Sequence, residues 1–221
     1  MNKYVIIVAG GKGLRMGSTI PKQFLELSGK AILLHTLEKF RKALPTAELF
    51  LVLPKTEFLR WASISKGTEF ENIQIAEGGT SRFESVKSGL SLIKGEGVVG
   101  IHDSVRPFVS METIQSTFIK AEQAGAAIPV IDLKDSIRKL ENGSSSSVDR
   151  SLYKMVQTPQ CFQNKLIQAA YKQPFQSIFT DDASVAESNG LVLSLVEGNY
   201  TNIKITTAED LKFGASLLSE D

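Results

Sequence analysis

The residues best suited to chemistry begin with Ala9-Gly10-Gly11-Lys12-Gly13-Leu14-Arg15-Met16-Gly17, which follows directly on an apolar run. Glycines at a strand end let backbone N–H groups approach phosphate oxygens, and open α/β sheets bind ligands at the carboxyl ends of their strands. Ala9, Gly10, Gly11 and Gly13 are therefore candidates for holding a nucleotide. The run is not a Walker A loop, because no Gly-Lys-Ser/Thr stands at the required spacing. Nor is it a dinucleotide fingerprint, because Met16 occupies the place of the third small residue. Arg15 inside the loop and Lys22 in Pro21-Lys22-Gln23 add cations, which suit a transition state that gathers negative charge on phosphorus. Taken alone, the segment reads equally well as a glycine-rich turn with solvated basic residues.

A second constellation is His102-Asp103-Ser104-Val105-Arg106-Pro107, again at a strand end. A carboxylate beside a phosphate loop can hold Mg²⁺ while substrate phosphates complete the coordination, so Asp103 is the metal-ligand candidate. Arg106 either positions a phosphate or pins the loop through Asp103. His102 reads as a packed strand-end residue, and His35 lies in a helical pattern with no catalytic neighbour. In Asn202-Ile203-Lys204-Ile205-Thr206-Thr207, a short strand is expected at Ile203–Ile205, with Lys204 opposite its two isoleucines. Alone, Lys204 would be a solvated edge lysine. Gly79, Thr80 and Ser85 could contact a base through backbone and hydroxyl groups, or be only a turn and a cap.

These residues need a scaffold, and continuous β-branched runs alternating with helix-period segments imply a parallel sheet covered on both faces. Strands are expected at Val5–Ala9, Leu49–Leu53, Ile73–Ile75, Val98–His102, Ala126–Ile131 and Leu191–Val196. Helices are expected through Leu34, Leu37 and Phe40, from Ser81 with a Ser81-x-x-Glu84 capping box, over Ile114–Ala121, after Phe162, and after Thr207. Residues 132–150 break the rhythm: Asn142-Gly143 is a type I′ turn signal and Ser144–Ser147 read as a mobile tip of a hairpin or arm, the alternative being a plain disordered loop. The expectation is one three-layer Rossmann-like α/β domain over residues 1–221, with a mostly parallel sheet and a protruding β-arm at 132–155.

Composition excludes several classes. With 25 Lys+Arg against 24 Asp+Glu, the chain has no global field for nucleic acid or an anionic membrane. At 221 residues, a second large catalytic domain is not expected. The single cysteine, Cys161, and two histidines leave no intrachain disulfide and almost no Cys/His zinc site. The apolar run near the start is too short to span a membrane and lacks a signal-peptidase pattern, which points to the cytoplasm.

In order along nearly the whole chain, the motifs resemble the cytidylyltransferases that activate sugar-alcohol phosphates, most closely the methylerythritol phosphate type of the non-mevalonate isoprenoid pathway. The resemblance rests on the Ala9–Met16 loop, Pro21-Lys22-Gln23, Gly78-Gly79, Ser85-Val86, His102-Asp103-x-x-Arg106-Pro107 and Val148-Asp149-Arg150. It continues through Gln157-Thr158-Pro159-Gln160, Thr180-Asp181-Asp182-Ala183-Ser184, Val196-Glu197-Gly198 and Asn202-Ile203-Lys204. It implies attack by the 4-phosphate of methylerythritol phosphate on the α-phosphorus of CTP, expelling pyrophosphate. Arg15 and Lys22 match the pair that stabilises the pentavalent transition state, and Lys204 and Asp103 match positions near the α-phosphate and Mg²⁺. Cytosine would be read by Ala9, Gly10, Gly79, Thr80 and Ser85, with Ser104 near the ribose. The polyol phosphate would be held by Arg106, Ser136, Arg150, Thr158 and Thr180. The family's arm crosses to a second subunit, so a homodimer is implied. Ser136 stands where relatives usually carry Thr, and Thr80 where many carry an acidic residue.

Three other readings remain, one of them a catalytically dead nucleotide-binding or regulatory module, against which Arg15, Lys22, Asp103 and Lys204 together argue, since binding alone would not need all four. Ribitol-5-phosphate cytidylyltransferases share the fold and the CTP loop, but residues 148–151 and 180–184 look like the methylerythritol type. Nucleotide-sugar glycosyltransferases generally carry Asp-x-Asp at a strand end, where this chain has Asp103-Ser104-Val105.

Overall fold

The structure, a computed structural model, describes residues 1–10 and 20–218. The chain opens with β1 (Lys3–Val8), a small ribbon of β2 (Glu26–Leu27) and β3 (Lys30–Ala31), α1 (Ile32–Ala43), β4 (Glu48–Leu53), α2 (Phe58–Ser65) and β5 (Gln74–Glu77). It continues through α3 (Arg82–Leu92), β6 (Val98–Asp103), α4 (Met111–Ala124) and β7 (Ala126–Asp132). The arm hairpin β8 (Arg138–Glu141) and β9 (Ser144–Ser147) follows, then β10 (Lys154–Val156), β11 (Gln160–Gln163), α5 (Asn164–Ala170), α6 (Asp182–Ser188), β12 (Ser194–Glu197) and α7 (Ala208–Leu218).

β1 lies parallel between β4 and β6, and β5 extends the sheet beyond β4. β11 is antiparallel to both β6 and β7 and so sits between them. Val130 pairs with both Val156 and Glu197, which places β10 and the parallel β12 on opposite edges of β7. The sheet is thus mostly parallel with one reversed strand inside.

Period-two alternation of β1 builds both cores. Val5 and Ile7 face Leu37, Phe40 and Phe118 from α1 and α4. Tyr4, Ile6 and Val8 face Phe83, Val86 and Leu90 from α3 and Ile167 from α5. Gly89 brings α3 close to the sheet, since a Cβ there would stand 2.8 Å from Ile6 and 2.9 Å from Val52.

Several expectations shift. Ile203–Ile205 form no strand; the segment is irregular and held to the body by Ile205 N–H donating to Val105 at 2.9 Å. The four serines are not a tip but β9, paired residue for residue with β8, because Asn142 and Gly143 take φ of 49° and 77° and close the turn themselves. Lys154–Val156, at the base of the arm, already pair with β7. The strand expected at 73–75 lies at Gln74–Glu77, and the one at 191–196 is confined to Ser194–Glu197. Ser81 caps α3 through the Glu84 amide, while a reciprocal box forms at α6 between Asp181 and Ser184. Two elements had no apolar run to announce them: β11, whose glutamines bond to the start of α6 and the last turn of α4, and α6.

Candidate active site

Strand register gathers the sequence motifs at one end of the sheet. Val8 of β1 stands beside Asp103 of β6 and Val52 of β4. Ala9 N–H continues the ladder to Val52 O at 2.9 Å, and Ser104 N–H does the same to Val8 O at 3.1 Å. Because β11 runs the other way, its leading end, Thr158-Pro159, arrives at the same edge.

One wall of the site is backbone. Gly10 passes so near Ser85 that a Cβ would lie 2.9 Å from its Oγ, and a Cβ on Gly79 would lie 2.3 Å from Glu84 Cβ. Ser85 Oγ donates to Ser81 O at 2.9 Å and accepts from Gly79 N–H at 3.1 Å. Gly10, Gly79 and buried Ser85 therefore converge, with Thr80 exposed on the adjoining turn. The Ala9 carbonyl accepts from buried Gln23 Nε2 at 2.9 Å. Gln23 thereby docks the 3-10 turn that carries Lys22 onto the end of β1. Gly11, Gly13 and Arg15 lie outside the described residues. Ser104 is buried, and its carbonyl accepts from Thr36 Oγ1 at 2.9 Å.

The other wall is electrostatic. Asp103, whose side chain is 12% exposed, meets Lys204 Nζ at 3.0 Å, Arg106 Nε at 3.3 Å and Arg82 Nε at 3.8 Å. Burial alone would raise the Asp103 carboxyl, but Arg82, Lys204 and Arg106 overcome it and hold the group well below the usual carboxylate range. Arg106 binds Asp103 and donates from Nη1 to Asn202 O at 2.7 Å, contacts that pin the loop. Asn202 Nδ2 in turn donates to Thr158 O at 2.9 Å, which holds the Lys204 segment to the body without a strand.

Thr158 is 5% exposed, and its hydroxyl is bonded to His102 Nδ1 at 3.0 Å while accepting from Asp103 N–H at 3.2 Å. In this structure that hydroxyl sets the strand end instead of facing solvent. His102 is fully buried and its Nε2 bonds to Arg106 O at 3.0 Å. Burial drives its pKa down to about 4, so the ring is neutral and packed. His35 likewise serves structure, with Nε2 on Leu27 O at 2.8 Å.

Ser136, Arg150 and Thr180 are exposed, and Arg150 donates to Lys134 O within the arm. Arg82 received no role from the sequence, although it lies between two motifs. It grips Asp182 bidentately at 2.7 and 2.6 Å while standing beside Asp103. Its position one residue after Ser81 was the available signal. Among the described residues, no three His, Cys, Asp or Glu side chains form a metal cage. Asp103 alone suits a cation whose remaining ligands come from substrate.

A Rossmann-like sheet that presents glycine backbone, an ionised aspartate and clustered cations at its strand ends defines a nucleotidyltransferase. The family model for 2-C-methyl-D-erythritol 4-phosphate cytidylyltransferase matches residues 3–220. A protein of that name from Bacteroides thetaiotaomicron is 50% identical over 220 residues, spanning 99% of this chain and 100% of its own. One from Bacteroides fragilis is also 50% identical over 220 residues, with the same coverage. Among solved structures, the 4-diphosphocytidyl-2C-methyl-D-erythritol synthase of Anaerococcus prevotii superposes with a TM-score of 0.84 at 31% identity, covering 99% of this chain and 96% of its own. The Thermus thermophilus 2-C-methyl-D-erythritol 4-phosphate cytidylyltransferase gives 0.81 at 30% identity, covering 99% and 100%. This chain belongs to the 2-C-methyl-D-erythritol 4-phosphate cytidylyltransferase family.

Proposed function

We propose that this chain transfers the cytidylyl group of CTP to 2-C-methyl-D-erythritol 4-phosphate in isoprenoid precursor synthesis. The observation that carries the residue assignment is the convergence of Lys204 and Asp103, 3.0 Å apart, at the strand end beside Gly10. A phosphate oxygen of the polyol attacks the α-phosphorus of CTP, a new P–O bond forms, and the bond to the β-phosphate breaks to release pyrophosphate. The nucleophile is already an anion at neutral pH, so no side chain has to act as a strong base. This accords with the buried, neutral His102.

Lys22, Lys204 and Arg15 supply positive charge where the transition state accumulates negative charge. Gly10, Gly79 and Ser85 read the base: a pocket that spends its acceptors on the cytosine amine leaves them unpaired with uracil. Asp103 with triphosphate oxygens would hold Mg²⁺, which neutralises phosphate charge when bound. Lys204 is 44% exposed and can turn from Asp103 toward the triphosphate when the cation takes its place.

Arg106, Ser136, Arg150, Thr158 and Thr180 form the polyol phosphate assignment, with Arg106 and Thr158 acting through the strand end. The arm exposes Leu140, Leu152, Tyr153, Met155 and Val156 at 42–80%, a set of apolar side chains that a second copy would cover. A homodimer through the arm, bringing Ser136 and Arg150 to the partner's site, follows as part of the proposal. So does a cytoplasmic location, on the composition argument above; among the described residues no helix is long and apolar enough to cross a membrane.

The test is pyrophosphate release from CTP and Mg²⁺ with each of two acceptors. Release with methylerythritol phosphate alone is expected, and release with ribitol 5-phosphate alone would replace the proposal. For the shared site, mixing Lys22→Ala and Arg150→Ala subunits should restore about a quarter of wild-type activity, since half of random dimers are hybrids with one intact site. No recovery after confirmed subunit exchange would refute the crossing arm.

A further inference from the structure

Arg82 joins segments 100 residues apart. Its guanidinium makes two bonds to Asp182, at 2.7 and 2.6 Å, and Tyr171 O–H donates to the same carboxylate at 2.6 Å. Asp182 is fully buried. A buried ion pair gives weak evidence of net stabilisation, because desolvation consumes most of the Coulomb gain. What a bidentate fork supplies is orientation.

The two segments it orients both belong to the site. On one side, Arg82 begins α3 immediately after Ser81, whose carbonyl holds Ser85 and through it the Gly79 amide. On the other, Asp182 begins α6 two residues after Thr180. Gln160 on β11 fixes the same turn, donating to Asp181 Oδ2 at 2.8 Å and accepting from Ala183 N–H at 2.8 Å. The third neighbour of Arg82 is Asp103, 3.8 Å away.

We propose that Arg82 is a positioning residue of the transfer reaction: clamped by Asp182 and Tyr171, it sets the Thr180 loop against the base-binding end of α3. This rests on the assignment of Thr180 to the polyol phosphate made above. The clamp fixes the distance between the two substrates' subsites without touching either substrate. Loosening it misplaces the acceptor phosphate while leaving the base pocket intact, since Ser81, Ser85 and Gly79 are bonded independently of the guanidinium.

The test uses Arg82→Lys, which keeps the charge and loses the fork, and Tyr171→Phe, which removes one donor from Asp182. KM for the polyol phosphate should rise about tenfold in Arg82→Lys and about threefold in Tyr171→Phe, with KM for CTP unchanged within about twofold. A clamp that served folding alone would lower kcat through the active fraction and move neither constant, and that result would overturn the proposal. Should Arg82→Lys fail to fold, Tyr171→Phe carries the test. Amide exchange gives a readout free of the reaction. Tyr171→Phe should speed exchange over residues 180–186 and leave β1 and β4 unchanged, and unchanged exchange at 180–186 would also overturn the clamp. Absence of wild-type transfer to the polyol phosphate would count against the functional reading, while the exchange result would still decide the clamp.

Discussion

The strand-end cluster and the arm hairpin carry assigned site residues in opposite physical settings. At the strand end, Asp103, Thr158, Asn202 and Arg106 form one bonded network in which nearly every polar group has a buried partner. On the arm, every residue of β8 and β9 is exposed, and a two-stranded hairpin of this kind is marginal in isolation. Preorganised charge belongs where solvent cannot screen it, whereas an element that must find a partner keeps its apolar surface outside. The body's network is thus bonded within one chain, while the arm is the element that the proposed second subunit would cover.

Breaking the body's side of this contrast should have the largest effect. Lys22→Ala removes a cation whose contact strengthens as charge develops, so kcat should fall about 10²- to 10³-fold with a modest change in KM for CTP. An unchanged kcat, measured by steady-state pyrophosphate release, would remove Lys22 from the transition state.

Acid probes the same network. His102 has a folded pKa of about 4 against about 6.5 unfolded, so the unfolded chain takes up the proton first and stability falls as pH drops from 6.5 to 4. The loss should reach about 3 kcal/mol across that window, and His102→Gln should remove most of its pH dependence in urea titrations. Equal slopes in the two proteins would show that His102 is not the acid-sensitive group.

One substitution made in both regions sharpens the comparison. Gly79→Ala would drive a Cβ to 2.3 Å from Glu84, whose own backbone lies at 3.2–3.3 Å. Overpacking of that kind costs about 1–3 kcal/mol, and KM for CTP should rise about tenfold. Gly143→Ala meets nothing within 4 Å and strains only a φ of +77° in the turn. That strain of about 1 kcal/mol should loosen exchange across 138–147 and leave the melting temperature of the body unchanged. A body that melted earlier in Gly143→Ala would show the arm to be part of the cooperative unit.

The long apolar strands and their helices were legible because each had its own periodicity: β1, β4, β6 and β7, with α1, α3 and α4 between them. Asn142-Gly143 was equally plain, since few residue pairs accept two positive φ values in succession. The reversed strand β11 was not, because Gln160-Cys161-Phe162-Gln163 has polar ends that only the ends of α6 and α4, remote in sequence, satisfy. Lys204 was noticed for its two isoleucine neighbours, yet it is placed by Asn202 and Arg106, not by a strand. The role of Arg82 was not legible because its partner Asp182 is remote in sequence, and its one local signal, the place just after the Ser81 cap, marks a helix start and not a partner.

What the sequence determined by itself was the class of chemistry and the order of its parts: a glycine loop after the first strand, an aspartate at the end of β6, a lysine near the end, and a turn inside an arm. These follow from short-range rules in which residue type and spacing set backbone freedom and burial. Tertiary structure alone decided which groups share a charge environment. Asp103 is held ionised against burial by three cations from α3, the loop after β6 and the segment before α7, and Thr158 faces His102 because β11 runs backward. Coulomb and hydrogen-bond interactions depend on distance through space, and only the folded sheet supplies that distance.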